Sequence, residues 1–375
     1  MKGQMNWMAD KRKKRKIRPD RIAAAGLLLF LLVGIVLIVS QVLGKEPQEI
    51  ADGGKPLVSE ITTVATTTTT TTTETTTTTS RYPAPATRTT DTKQLSGDTD
   101  ILARSVILID AETQTMLAER DADAVLEPAS MTKILTMVTA AETLTEEQLN
   151  GAFVMTEEII AAQHARDAVC AGFQAGEPCS VTDLFYGMML PSGADAATAL
   201  AIAAAGSEAA FVQMMNDKAA EIGMDSSHFL NPTGLHEDGH VSTVHDIARL
   251  MEYALSIPFC RTVMSTPTYR TAATTQHPSG INLTSIVFWR MGDLAANGIR
   301  VCGGKTGFTN QAGQCLATWA EDENGKTYVC VVADCEDQMD PVYDTLTVYS
   351  RYSGASDGAF SRPVTEETTT AEPAA

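Results

Sequence analysis

The chain has 375 residues, 44% of them apolar, and a formal charge of −18, which is material for one large folded domain or two small ones. Nine of its 28 Lys/Arg but only two of its 46 Asp/Glu fall in residues 1–21, so the remainder carries 19 basic residues against 44 acidic ones. That balance argues against nucleic acid as a partner of the main body.

The basic block KRKKRKIRPDR (Lys11 to Arg21) is followed by a stretch from Ile22 to Gly44 that contains no charged residue. About 20 apolar residues cross the hydrocarbon core of a bilayer as a helix, and basic residues just before the span hold that end in the cytoplasm. Residues 1–21 are therefore expected to be a cytoplasmic tail and 22–43 an uncleaved transmembrane anchor. The rest should lie outside the cell, with the protein at the cell membrane as a single-pass chain. A cleaved signal peptide is the rival reading, but its apolar region runs to only about 7 to 15 residues.

Residues 44–97 include TTTTTTTTETTTTTS and the Pro-containing RYPAPATRTT. Such a composition has too little apolar surface to offset the entropy of ordering, so this segment is expected to be a disordered linker. A composition shift near Asp98 marks the expected start of a folded domain running to Tyr352, and 353–375 again reads as a disordered tail. All seven cysteines lie in the external part, where disulfides are permitted. Cys170 and Cys179 bracket the loop CAGFQAGEPC and make the most credible local pair.

Within 98–352, RSVILID and QTMLAER read as an opening hairpin. After EPAS the apolar positions Met131, Ile134, Leu135 and Val138 recur at helical spacing, with Pro128 just upstream. Asp195 to Gly223 is rich in helix formers but broken at Gly206-Ser207, which suggests two helices, and Val241 to Leu255 reads as another. The last third is strand-like, with Asn324-Gly325 as its strongest hairpin signal. Centring the loop on those two residues places Cys330 opposite Trp319 and Cys315 on the same sheet face. Strands, then helices, then strands predict a mixed α/β (α+β) domain whose antiparallel sheet gathers strands from both ends and is flanked by helices.

Three motifs carry candidate chemistry. EPASMTKI sets Ser130 and Lys133 three residues apart at a helix start, so an amine with suppressed charge can take the hydroxyl proton. The helix start also offers N–H groups suited to an oxyanion. About one S-x-x-K arises by chance in a chain of this length. MLPSGADAATALA places Ser192 in a Pro-Ser-Gly loop before an Ala-rich helix, which by itself is an ordinary N-cap region. VCGGKTGFTNQAGQCL ends a strand in Lys305-Thr306-Gly307, where small neighbours let a ligand carboxylate approach.

In that order, S-x-x-K, S-G-x and K-T-G resemble the motifs of the serine penicillin-recognising enzymes, which include penicillin-binding proteins and class A β-lactamases. FLNPTGLHEDGHVSTVHDIARLMEYAL and GGKTGFTNQAGQCLA look like the low-molecular-mass penicillin-binding proteins that act as D-alanyl-D-alanine carboxypeptidases. The resemblance implies a β-lactamase/transpeptidase-like domain and a peptidoglycan stem peptide ending in D-Ala-D-Ala as substrate. It also implies a role in cell-wall maturation and cell shape, inhibition by β-lactams, and no metal or cofactor. It gives Ser130 the role of nucleophile, Lys133 that of general base and Ser192 that of proton relay. Lys305, Thr306 and Gly307 would bind the substrate carboxylate, and the N–H groups of Ser130 and Phe308 the oxyanion.

Two departures from the family pattern bear on this. The middle motif ends in Ala194 where the family usually has Asn, removing a donor to the substrate amide. Many of those enzymes continue into a β-rich domain and an amphipathic anchoring helix; here the N-terminal span and Thr-rich spacer are expected to serve as the tether. Ala194 also leaves open a catalytically impaired wall-binding relative. A β-lactamase is a third reading, but it needs a Glu to activate the deacylating water, and the one tempting pair, Glu147 and Asn150, precedes Ser192 instead of following it. Finally, His236-Glu237-Asp238-Gly239-His240 matches H-E-x-x-H literally. The turn residues around it make a zinc-binding helix improbable, so its histidines are expected to be structural.

Overall fold

The computed structural model describes residues 82, 84–355 and 360–363. The basic tail, the span at 22–43, most of the 44–97 linker and most of the 353–375 tail lie outside the described residues.

Six strands form the main sheet: β1 (Thr87–Gln94), β2 (Ser105–Asp110), β3 (Thr115–Arg120), β4 (Ile299–Thr309), β5 (Gly313–Asp322) and β6 (Thr327–Cys335). Their order is β1-β3-β2-β6-β5-β4, so the two ends of the domain meet where β2 pairs with β6. Successive residues of β2 and β6 face opposite layers. Ile107, Ile109, Val329 and Val331 join one core with most of the helices, whereas Val106, Leu108, Cys330 and Val332 pack on Leu346 and Tyr349 of the C-terminal helix. A sheet buried on both faces reads as a continuous apolar run, which is the pattern of SVILID and YVCVVA. The architecture is the expected mixed α/β one, a sheet flanked by helices.

The helical layer contains α1 (Thr132–Thr143), α2 (Val181–Met189), α3 (Ala194–Ala205), α4 (Glu208–Ile222) and α5 (Val244–Leu255), while α6 (Asp340–Tyr352) covers the other face. Buried α1 packs against α2, α3, α4 and α5. The expected break between α3 and α4 is real. Gly206 closes α3 in the left-handed region at φ 77°, and the Ser207 hydroxyl caps α4 by accepting the Ala210 N–H at 3.2 Å. The two helices meet at 85°, and no single helix among the described residues is long and apolar enough to cross a membrane.

Three expectations need correction. First, the fold begins before Asp98: β1, assigned to the linker, pairs with β3 and does so in parallel, so the sheet is not wholly antiparallel. Its residues are mostly exposed and polar. The strand is held by backbone pairing and by Glu119, which accepts from Arg88 Nη2 at 2.6 Å and Gln94 Nε2 at 2.7 Å. Composition cannot register that kind of stabilisation.

Second, the β5–β6 hairpin is one residue out of the expected register. Its loop is residues 323–325, with Gly325 left-handed at φ 82° and Asp322 Oδ1 accepting the N–H groups of Asn324 and Lys326 at 2.8 and 2.9 Å. This is a type I turn closed by a left-handed residue, in place of a two-residue turn. Cys330 therefore pairs with Thr318, and because strand side chains alternate, Cys315 and Cys330 lie on opposite faces.

Third, Cys170 and Cys179 are not bridged, and all seven cysteines are free thiols. The Cys179 thiol donates to Glu177 O at 3.5 Å, and the loop between the two is held instead by Glu177, whose carboxylate accepts the Gln174 N–H at 2.8 Å.

Candidate active site

Ser130 sits in a single 3-10 turn, Ala129–Met131, leading into α1. The turn is tight: Ala129 has φ 45°. A Cβ on Gly234 (φ +74°) would lie 1.9 Å from the Ala129 carbonyl oxygen, so only glycine fits behind the turn. On the other side a Cβ on Gly307 would meet Pro128 O at 3.1 Å, placing the end of β4 against the same turn. Asn231 shapes the supporting loop, its Oδ1 accepting from Thr233 N at 3.2 Å, Thr233 Oγ1 at 2.8 Å and Gly234 N at 2.8 Å.

Lys133, in the first turn of α1, is 2% exposed. Its Nζ lies 3.0 Å from Ser130 Oγ and donates to Thr233 O at 2.6 Å. Burial lowers its pKa to about 7, against the opposing pull of Asp195 and Cys170. A lysine near neutrality at physiological pH can accept a proton, and it stands within reach of the hydroxyl.

Ser192 occupies the left-handed region at φ 69°, a strained position for a non-glycine residue. It is fixed by Gly193, whose N–H donates to Gly187 O at 3.0 Å and whose missing Cβ would clash with that same oxygen at 2.7 Å. From β4, Lys305 donates to Ser192 Oγ and to Thr306 O, each at 2.9 Å. Lys305 is buried, and its pKa falls well below the ordinary lysine value, first through desolvation and then through the charges of Lys133 and Arg290.

These parts line one cleft of about 500 Å³, whose walls include Ser130, Lys133, Ser192, Ala194 and Phe308. β4 is the end strand of the sheet, with β5 as its one strand neighbour among the described residues. Of the residues singled out from the sequence, Ser130, Lys133, Ser192 and Phe308 line the cleft directly. Lys305 joins it through Ser192, and Thr306 and Gly307 connect Lys305 to Phe308 along the strand. Ala194 is buried at the cleft floor, its N–H donating to Val169 O at 2.7 Å. Glu147 is exposed and is not among the residues lining the cleft, so it has no place from which to activate a water there.

The H-E-x-x-H stretch is a turn, not a helix. His236 bonds Glu127 through Nδ1 at 2.9 Å. His240 is buried, and its Nδ1 accepts the Leu230 N–H at 3.1 Å. Its Nε2 must then carry the proton, donated to Thr132 Oγ1 at 2.8 Å. Burial and the neighbouring charges of His228 and Lys133 depress its pKa to about 4. The residue is a neutral brace on the start of α1.

Sequence reasoning missed Asp195 and the loop it holds. Fully buried, Asp195 accepts the N–H groups of Ala171 and Gly172 at 2.8 and 3.3 Å, anchoring the loop whose residues 166–169 line the cleft. Nothing in the local pattern marks a loop more than 20 residues upstream as its partner.

The family model for D-alanyl-D-alanine carboxypeptidases, peptidase S11, matches residues 88–336. The D-alanyl-D-alanine carboxypeptidase DacF of Bacillus subtilis is 33% identical over 237 residues, covering 61% of this chain and 57% of the relative. DacA of Escherichia coli is 30% identical over 237 residues, covering 61% and 55%. Among solved structures, the Streptomyces K15 DD-transpeptidase superposes with a TM-score of 0.59 at 26% identity, covering 65% of this chain and 94% of that one. The chain spans about half the length of the curated relatives it matches. It belongs to the D-alanyl-D-alanine carboxypeptidase family.

Proposed function

We propose that this chain is a serine D-alanyl-D-alanine carboxypeptidase that removes the terminal D-Ala from peptidoglycan stem peptides. The observation that carries the reading is the pairing of Ser130 with a buried Lys133 whose pKa lies near 7, 3.0 Å away, in the same cleft as the Ser192–Lys305 contact. Neutral Lys133 takes the proton from Ser130 Oγ as the oxygen bonds to the penultimate D-Ala carbonyl carbon. The carbonyl electrons move onto oxygen, where the N–H groups of Ser130 and Phe308 receive the negative charge. Collapse breaks the C–N bond, and the leaving amine of D-Ala takes its proton by way of Ser192. Water then cleaves the ester and restores Ser130.

The positive charge that the site reserves for a substrate carboxylate is Lys305, with Thr306 beside it. An arriving carboxylate would restore the protonated form of Lys305 that burial disfavours, so substrate binding and Lys305 protonation reinforce each other. β-Lactams would acylate Ser130 by the same route and deacylate slowly. Ala194 supplies a methyl group where the family usually has an amide, but Ser130, Lys133, Ser192 and Lys305 close their contacts without it. Its expected effect is on substrate handling. The apolar span and its basic flank support a single-pass anchor with this domain outside the cell, which protease access to intact cells would test.

The direct test is D-Ala release from a diacetyl-lysyl-D-Ala-D-Ala peptide by the purified full-length chain, with covalent penicillin labelling in parallel. Both are expected, and both should be lost in Ser130→Ala. Absence of both at high enzyme concentration would leave a wall-binding relative as the reading, and rapid multiple turnover of a cephalosporin would favour a β-lactamase.

A further inference from the structure

Of the two histidines in the turn before α5, His240 has both ring nitrogens committed, whereas His236 has one to spare. His236 lines the same cleft as Ser130, and two contacts hold it beside the serine turn. Gly234, two residues earlier, packs against the Ala129 carbonyl. Glu127, three residues before Ser130, sets its Oε1 and Oε2 at 2.9 and 3.0 Å from His236 Nδ1. A carboxylate can only accept, so the shared proton sits on Nδ1 and Nε2 keeps its lone pair. Among the described residues Nε2 has no hydrogen-bond partner: its approach to Asp238 Oδ1, 3.9 Å, is too long for one. The side chain is 37% exposed, so water reaches that nitrogen. A carboxylate fixing one imidazole nitrogen while the other faces a cleft with a serine nucleophile is the arrangement of a general base and its orienting group. His245 and Asp123 make the same kind of pair at 2.8 Å, but neither lines the cleft.

Hydrolysis of the acyl-enzyme calls for such a group. When the ester collapses, Ser130 Oγ takes a proton, and the amine in contact with it is Lys133 at 3.0 Å. An ammonium giving up that proton does not in the same step take one from water. We propose that His236 is the general base that activates the deacylating water, and that Glu127 is its positioning residue. The inference rests on the carboxypeptidase reading and assigns the second half of that reaction. The water oxygen bonds to the ester carbonyl carbon as one of its protons passes to His236 Nε2 and the carbonyl pair moves onto oxygen. Collapse re-forms the carbonyl and breaks the C–Oγ bond, whose pair goes to Ser130 Oγ with a proton from Lys133. His236 then passes its proton to solvent and Lys133 takes one from solvent, so the acid product and free Ser130 are left with no net proton gained or lost.

The test uses the full-length chain and Nα,Nε-diacetyl-Lys-D-Ala-D-lactate, an ester whose better leaving group speeds acylation and leaves turnover to deacylation. Lactate release gives the initial burst and the steady rate, and mass spectrometry of quenched samples gives the acyl-enzyme on Ser130. His236→Ala should keep the burst, lower the steady rate by roughly 100-fold and accumulate acyl-enzyme, and added imidazole should restore turnover. Glu127→Gln should show the same split to a smaller degree. If Glu127 only propped the serine turn, its loss would slow the burst instead. His245→Ala, altering the matching pair outside the cleft, should leave both phases unchanged. A steady rate unchanged in His236→Ala, or a loss that falls on the burst and does not respond to imidazole, overturns the proposal and returns the water to Ser192. Neither lactate release nor a penicillin adduct from the unaltered chain would remove the carboxypeptidase reading, and the proposal with it.

Discussion

Replacing Lys133 by Met removes a charge that the fold disfavours, so the variant should lose acylation while losing a pH-dependent burden on stability. The shift from 10.5 to about 7 corresponds to about 4 to 5 kcal/mol at about 1.4 kcal/mol per pKa unit. The sign follows from proton binding. Between about pH 7 and 10.5 the unfolded chain holds the Lys133 proton and the folded chain does not, so this group raises stability as pH increases through that window. Below pH 7 both states are charged and the folded state carries the full penalty. Met at this position also leaves Thr233 O without its donor, a cost of about 1 to 3 kcal/mol, so the net gain at pH 7 should be about 1 to 4 kcal/mol. Urea unfolding of the purified chain and the variant from pH 6 to 10 reads the difference, and penicillin acylation over the same range should rise with an apparent pKa near 7. A wild-type stability that does not gain on the variant with pH, together with an acylation limb near 10, would refute a neutral, buried base.

Asp195→Asn should move the acidic limb of acylation to lower pH, because Asp195 is the largest influence favouring the charged form of Lys133; an unmoved limb would confine Asp195 to holding the loop. Gly234→Ala puts a Cβ 1.9 Å from Ala129 O and should abolish detectable acylation or cost about 3 kcal/mol or more of stability; circular dichroism melting and penicillin labelling separate the two. Ala194→Asn should increase D-Ala release by a factor corresponding to about 1 to 3 kcal/mol, the worth of one restored hydrogen bond to a buried group, and kcat/KM on the lysyl peptide measures it.

The catalytic motifs were legible because each is short and local. Ser130 and Lys133 are adjacent on one turn by helical spacing alone, and K-T-G lies on a recognisable strand. Long-range contacts were not. The resemblance gave Ser192 and Lys305 separate roles in one site, but that Lys305 reaches Ser192 across 113 positions was signalled by no pattern in the chain. β1 was hidden because its polar residues look like linker. The β5–β6 register turned on whether Gly325 is the second residue of a two-residue turn or the left-handed close of a three-residue one, and Asn-Gly suits either. Asp195 and the wall it fixes were invisible because they depend on which loop folds back over α3.

The most direct measurement is the mass and position of the adduct left by penicillin on the full-length chain. One equivalent on Ser130, absent in Ser130→Ala and still formed, more slowly, in Ser192→Ala, is the expected result. An adduct that persists in Ser130→Ala, or that maps to another residue, would contradict the assignment of the nucleophile on which the mechanism stands.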